Sequence, residues 1–111
     1  MTILDPSDGY FILINTFTVE PEKAEALLAY LSKATEETFL HADGFVSANL
    51  HISDDHRHVA NYAQWRSRKD YEEVAKNPAI QSHMREAAKL VSSFEPVFYD
   101  LVKVYGAERE A

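Results

Sequence analysis

Four residues in the second half of the chain have side chains that could bind a small molecule and stabilise its ionised form. They are Asn61, Trp65, Tyr71 and Arg85, which carry an amide, an indole, a phenol and a guanidinium. Because side chains alternate along a strand, Asn61 and Trp65 share one side of the run that ends at Trp65. If helices cover that side, each unpaired polar group costs on the order of 1–3 kcal/mol. Either Tyr71 and Arg85 satisfy the two side chains within a packed core, or a bound ligand does.

The elements that must position these residues follow from hydrophobic spacing and helix start signals. Runs of aromatic and β-branched residues predict strands, and apolar residues at intervals of three and four predict helices. Ser67 and Asp70 have capping-box spacing, and Asn77-Pro78 separates two helical pieces. The predicted order is a strand from Tyr10 to Val19, a helix from Glu22 that ends before Gly44, strands from Phe45 to Ser53 and from His58 to Trp65, helices from Ser67 and Pro78, and a strand from Pro96 to Tyr105.

This βαββαβ order predicts an α+β, ferredoxin-like fold with a four-stranded antiparallel sheet and helices on one face. The chain is expected to be a single domain, residues 1–111, with a folded core of about 9–105. Both alternating sets of side chains are apolar in the first and last strands, although helices can bury only one set. A second copy packed against the open face would bury the other set, so the sequence predicts a homodimer, a dimeric α/β barrel.

The composition excludes several classes of function. The chain has 18 Asp plus Glu against 11 Lys plus Arg, and its net charge of −7 disfavours nucleic acid and anionic membranes as partners. It has no cysteine for thiol chemistry, disulfides or metal–sulfur sites, and its three glycines form neither a Rossmann fingerprint nor a P-loop. No apolar run approaches the length of a membrane span, and we expect a cytoplasmic protein.

The run Asn61-Tyr62-Ala63-Gln64-Trp65, followed by Tyr71 and Arg85, resembles the antibiotic biosynthesis monooxygenase family. It is similar in particular to the cofactor-independent monooxygenases that oxidise phenolic intermediates of aromatic polyketides to quinones. The resemblance extends from about Tyr10 to Tyr105. It implies a cavity between sheet and helices, an aromatic substrate, dioxygen as co-substrate, and no metal or flavin cofactor.

The resemblance also implies roles for individual residues. Asn61 and Trp65 would hold carbonyl or phenolate oxygens of the substrate, Tyr71 would donate a proton, and Arg85 would stabilise an anionic substrate. His51 matches a position close to the same pocket. These roles suit a substrate that itself gives an electron to dioxygen, because fixed donors and a positive charge in a dry pocket favour its ionised form.

Asn15 and His83 match positions of haem-degrading enzymes in the same superfamily. Those enzymes also have a tryptophan on the helix after the third strand, where this chain has Val74. Haem degradation is therefore disfavoured. Asn15 lines the cavity or is a satisfied core amide, and His83 is either a packed histidine or an acid–base group. We count Asn15, His83 and His51 as candidate substrate-binding residues.

The leading hypothesis is a monooxygenase that converts an anthrone-like phenol or a quinol to a quinone. Two alternatives use the same cavity: a dimer that binds an aromatic ligand or assists a pathway enzyme without catalysis, and a cofactor-free isomerase. Metal binding is not predicted. His41-Ala42-Asp43 lacks a rigid third ligand, and His56-Arg57-His58 is explained as a polar hairpin turn.

Overall fold

The computed structural model describes residues 1–108 and contains four strands and three α-helices. Strand β1 lies inside the sheet, between β3 and β4, and β2 pairs with the other side of β3. All three pairings are antiparallel, which gives the order β2-β3-β1-β4 and confirms the ferredoxin-like prediction. The elements are β1 (Phe11–Thr18), α1 (Ala24–Glu37), β2 (Phe45–Ile52), β3 (His58–Trp65), α2 (Arg68–Ala75), α3 (Pro78–Ala88) and β4 (Ser93–Tyr99).

The core forms where α1 covers one face of the sheet, called here the inner face. Leu27 and Leu31 lie one turn apart on α1 and pack with Phe17 of β1 and Val59 of β3. Leu27 and Val59 are fully buried. Ala87 of α3 belongs to the same cluster, so α3 also covers the inner face. The opposite surface of the sheet is called the outer face.

Local capping sets the start of α2 and therefore the position of Tyr71. The Ser67 hydroxyl accepts a hydrogen bond from the Asp70 backbone N–H at 3.1 Å, which confirms the predicted helix start. Gly44 has a φ of +83°, and a Cβ at this position would overlap the Asp70 side chain. The first turn of α2 thus packs directly on the backbone that leads into β2.

Strand β4 differs from the prediction because Pro96 lies inside it rather than at its start. The strand begins at Ser93 and ends at Tyr99, and Pro96 pairs with Asn15 of β1. An edge strand has a neighbour on only one side, so it tolerates a residue that has no backbone N–H to donate. The residues from Asp100 to Glu108 have no regular secondary structure.

The N-terminal segment lies against the outer face, before the expected start of the folded core. The Thr2 hydroxyl donates to Asn49 Oδ1 at 2.6 Å, and the Gln64 side-chain amide donates to the Ile3 carbonyl at 2.9 Å. These bonds hold the N-terminal segment against the part of the outer face that β2 and β3 form. None of the helices in residues 1–108 is both long and apolar enough to cross a membrane.

Candidate active site

A cavity of about 460 Å³ lies between the inner face of the sheet and the helices. Its volume is within the range of roughly 300–1,000 Å³ that small-molecule sites occupy. Most of its lining is aliphatic or aromatic. Its exposed lining residues, such as Gln81, Arg85 and Phe94, belong to α3 and β4, so the cavity opens to solvent between these two elements.

Two asparagines face each other on the floor of the cavity. Asn15 of β1 and Asn61 of β3 are direct partners in the antiparallel register, and both line the cavity. The Oδ1 atoms of both side chains are buried and have no hydrogen-bond partner within residues 1–108. An unpaired buried acceptor costs on the order of 1–3 kcal/mol. The structure therefore favours the alternative in which a ligand, rather than Tyr71 or Arg85, satisfies Asn61.

Trp65 and Tyr71 form an aromatic wall at one end of the cavity. Trp65 is buried and makes edge-on contacts with Phe39, Phe45 and Tyr71, with ring centroids 6.1, 5.4 and 5.7 Å apart. These contacts fix the indole plane. Burial raises the pKa of the half-buried Tyr71 hydroxyl, which therefore keeps its proton at neutral pH and can act as a donor.

Helix α3 supplies two further ionisable groups, His83 and Arg85. Arg85 is exposed at the mouth and forms no ion pair with any residue from 1 to 108. His83 is half-buried, and its Nδ1 lies 3.1 Å from the Tyr30 hydroxyl of α1. The cavity thus combines two amide oxygens that have no partner within residues 1–108 on its floor, a phenol and an indole on its wall, and a guanidinium at its entrance.

Six of the seven residues predicted for the site line this one cavity, and His51 does not. The six are Asn15, Asn61, Trp65, Tyr71, His83 and Arg85. His51 is exposed on the outer face, so its predicted place close to the pocket is wrong. The cause is an irregular register between Phe45 and Ser47, which moves every later odd-numbered residue of β2 to the outer face.

Sequence reasoning missed Tyr30 as a cavity residue. Tyr30 precedes the buried Leu31 and lies four residues before the buried Ala34 on α1. That helical spacing from Ala34 was the available signal. Phe94 of β4 is another missed lining residue, because it precedes Pro96, where the last strand is predicted to begin.

Within the described part of the chain, no group of three or more His, Asp or Glu side chains is placed to hold a metal ion. His56 has a φ of 59° and lies in the turn that joins β2 to β3, as the hairpin interpretation predicts.

Comparison with known proteins identifies relatives over nearly the whole chain. The family model described as antibiotic biosynthesis monooxygenase matches residues 10–86. Tetracenomycin-F1 monooxygenase of Streptomyces glaucescens is 39% identical over 107 residues, which cover 96% of this chain and 95% of that protein.

Solved structures share the fold. A monooxygenase from the gene ActVA-Orf6 of Streptomyces coelicolor, in complex with the ligand nanaomycin D, is 28% identical with a TM-score of 0.75, and the match covers 96% of each chain. A protein from Shewanella oneidensis has a TM-score of 0.72 at 23% identity, covering 83% of this chain and 90% of that one. The second likeness bears on the fold alone.

Proposed function

Because the chain belongs to the antibiotic biosynthesis monooxygenase family, we propose that it oxidises an anthrone-like phenol or a quinol to a quinone with dioxygen, without metal or flavin. The observation that carries this proposal is the pair of unpaired amide oxygens of Asn15 and Asn61 in an otherwise apolar cavity. Names of relatives support the substrate class: one acts on tetracenomycin F1, and another was solved with nanaomycin D.

With an anthrone substrate, the chemical steps require the protein only to remove protons from the substrate and to supply a proton to the peroxide. The ionised substrate gives one electron to dioxygen, and the resulting carbon radical and superoxide combine to a peroxide. Protonation gives a hydroperoxide, whose O–O bond breaks as the remaining C–H proton leaves. One oxygen atom stays as the new carbonyl and the other leaves as water, so one dioxygen is consumed for each quinone formed.

The cavity residues are assigned to the steps that their chemistry suits. Asn61, Asn15 and Trp65 hold the hydroxyl and carbonyl oxygens and so orient the ring. Tyr71 protonates the peroxide, because a phenol carries its proton at neutral pH and the Tyr71 hydroxyl lines the cavity. Arg85, exposed at the entrance, attracts and stabilises the anionic form of the substrate.

The decisive experiment gives metal-depleted protein an anthrone and follows oxygen uptake together with quinone formation. We expect one quinone for each dioxygen consumed, with one labelled oxygen atom in the product when isotopic dioxygen is used. Trp65→Phe should lower turnover and Tyr105→Phe, at an exposed tyrosine outside the cavity, should not. Binding of the anthrone without oxygen uptake would overturn the proposal and assign the cavity to a non-catalytic binding module.

A homodimer is part of the same proposal. The outer face carries Val97 and the half-exposed Tyr99 on β4, and the buried Tyr62 hydroxyl there has no partner within residues 1–108. Beyond β4, Val102 is exposed. A second copy would cover these groups, and light scattering on the purified protein should give twice the chain mass. The cysteine-free sequence fits the expected cytoplasmic location.

A further inference from the structure

Two side chains that line the cavity form a hydrogen bond that has no role in the steps proposed above. The Tyr30 hydroxyl of α1 lies 3.1 Å from Nδ1 of His83 on α3, and the two rings are edge-on with centroids 5.8 Å apart. Both residues are half-buried and line the cavity. The contact joins two helices across 53 positions of sequence, so only the packing of α1 on α3 creates it.

The proposed reaction needs a proton acceptor, because the substrate must ionise before it can give an electron to dioxygen. Within residues 1–108, no Asp or Glu lines the cavity. The amides of Asn15 and Asn61 and the indole of Trp65 are not bases at neutral pH. Among residues 1–108, the other titratable groups that line the cavity are two phenols and a guanidinium, those of Tyr30 on α1, Tyr71 on α2 and Arg85 on α3. Strands β1 to β4 add none.

We propose that His83 is the catalytic base that ionises the substrate and that Tyr30 is the residue that positions it. This inference rests on the proposed function. Histidine is the side chain whose ordinary titration range spans neutral pH. When Nδ1 carries the proton and donates it to the Tyr30 oxygen, the Nε2 lone pair is free to accept a proton.

The proton transfer balances within the cavity. The acidic C–H or O–H bond of the substrate breaks, its electron pair stays on the substrate as a carbanion or phenolate, and an N–H bond forms at Nε2. The resulting imidazolium keeps its Nδ1–H on Tyr30. It returns to neutral by giving its proton to water or to the Tyr71 phenolate that forms when Tyr71 protonates the peroxide.

The experiment separates ionisation from oxidation by working first without oxygen. In anaerobic buffer near neutral pH, wild-type protein should convert bound anthrone to its coloured anion, and His83→Ala should leave it neutral. In air, His83→Ala should lower kcat by about 10²- to 10⁴-fold, the usual contribution of a general base. Added imidazole should restore part of the lost rate.

A second substrate and a second variant make the result specific. A phenol that is already ionised in the assay buffer should be oxidised by His83→Ala at close to the wild-type rate. Tyr30→Phe should lower kcat less and shift the acid limb of the rate–pH profile, because the imidazole keeps its base but loses its orienting partner. His58→Gln, at an exposed histidine on the outer face, is the matched control and should behave as wild type.

Equal losses of His83→Ala on neutral and ionised substrates, without rescue by imidazole, would mean that His83 is structural and would overturn the inference. Formation of the anthrone anion at the wild-type rate by His83→Ala would overturn it as well. If the alanine variant does not fold, His83→Gln carries the same tests. Failure of the proposed function has a different signature, since the wild type itself would then consume no oxygen.

Discussion

The two faces of strand β3 each carry a side-chain amide, and the two amides differ in whether their hydrogen bonds are made. On the outer face, Gln64 is 1% exposed and both ends of its amide are paired: Oε1 accepts from the Ser47 hydroxyl at 2.8 Å and Nε2 donates to the Ile3 carbonyl at 2.9 Å. On the inner face, Asn61 Oδ1 is buried with no partner within residues 1–108.

The difference separates an amide whose hydrogen bonds are made within the fold from one that the proposed substrate would satisfy. The hydrogen bonds of the Gln64 amide are complete because the N-terminal segment lies against β3, where its Ile3 carbonyl accepts from Nε2. The Asn61 Oδ1 has no partner within residues 1–108 because a cavity separates it from the helices. The small side chains of Ala48, Ala63 and Ala75 contribute to this space. Since an unpaired buried acceptor is costly, its position beside an apolar cavity supports the proposal that a hydrogen-bonding molecule binds there.

The largest effect on turnover should come from replacing Asn61 with an apolar residue. We expect Asn61→Leu to lower kcat/KM toward an anthrone by about 10²- to 10³-fold, the usual loss on removing one group that stabilises developing charge. Its free energy of unfolding should be unchanged or higher, because an unpaired polar group is replaced by an apolar one of similar size. Oxygen uptake and urea unfolding measure the two quantities. Unchanged turnover would contradict the proposed difference in role between Asn61 and Gln64.

The matched change on the outer face should have the reverse pattern. Gln64→Met leaves the Ser47 hydroxyl and the Ile3 carbonyl without their partners. The free energy of unfolding should fall by about 1–3 kcal/mol, with kcat of the folded protein retained. Urea unfolding and oxygen uptake on the same sample test this. A loss of turnover without a loss of stability would place functional chemistry on the outer face.

A smaller effect is expected from the ionisation of Tyr71 at high pH. Below the ordinary tyrosine pKa of about 10, the residue is protonated in the folded and unfolded chains alike. Above that pH the unfolded chain loses the proton first, because burial raises the folded pKa of Tyr71. The associated stability is therefore lost as pH rises through the folded pKa.

Urea unfolding at a series of alkaline pH values measures this loss. Tyr71→Phe should flatten the decline, whereas Tyr105→Phe, at a residue that is 84% exposed, should leave it unchanged. In wild-type protein, the near-ultraviolet absorbance of tyrosinate should contain a contribution at high pH that Tyr71→Phe lacks. Identical slopes for the two variants would show that Tyr71 does not ionise from a buried position.

The smallest effect is expected at His51. Its imidazole is exposed on the outer face, and its Nδ1 contacts the Asn49 carbonyl at 3.1 Å. His51→Ala should change kcat/KM for the anthrone less than twofold and the free energy of unfolding by no more than about 0.5 kcal/mol. A loss comparable to that of Asn61→Leu would contradict the assignment of the reaction to the inner face.

The fold was predictable where the signals are local. The bounds of β3 were predicted to the residue, and β1 to within one residue at each end, because alternation and strand-forming residues act over short distances. The start of α2 was also predictable, since Ser67 caps its own first turn. The bounds of β4 were not, because Pro96 is compatible with a strand interior only when the strand lies at a sheet edge, which is a property of the whole sheet.

The candidate site was predictable only in part. The resemblance pointed to Asn61, Trp65, Tyr71 and Arg85, and the structure brings all four to one cavity. It does not bring His51 there, because one irregular step at the start of β2 exchanges the faces of the residues that follow. A shift of this kind leaves no mark in composition or periodicity.

The amino-acid sequence by itself determined the order of strands and helices and the sharing of one side of β3 by Asn61 and Trp65, because these depend on contacts between near neighbours in the chain. Tertiary structure decided that this side faces a cavity, that Asn15 lies opposite Asn61, and that Tyr30 meets His83. Those outcomes depend on strand register and helix packing, which are set by contacts between residues far apart in sequence.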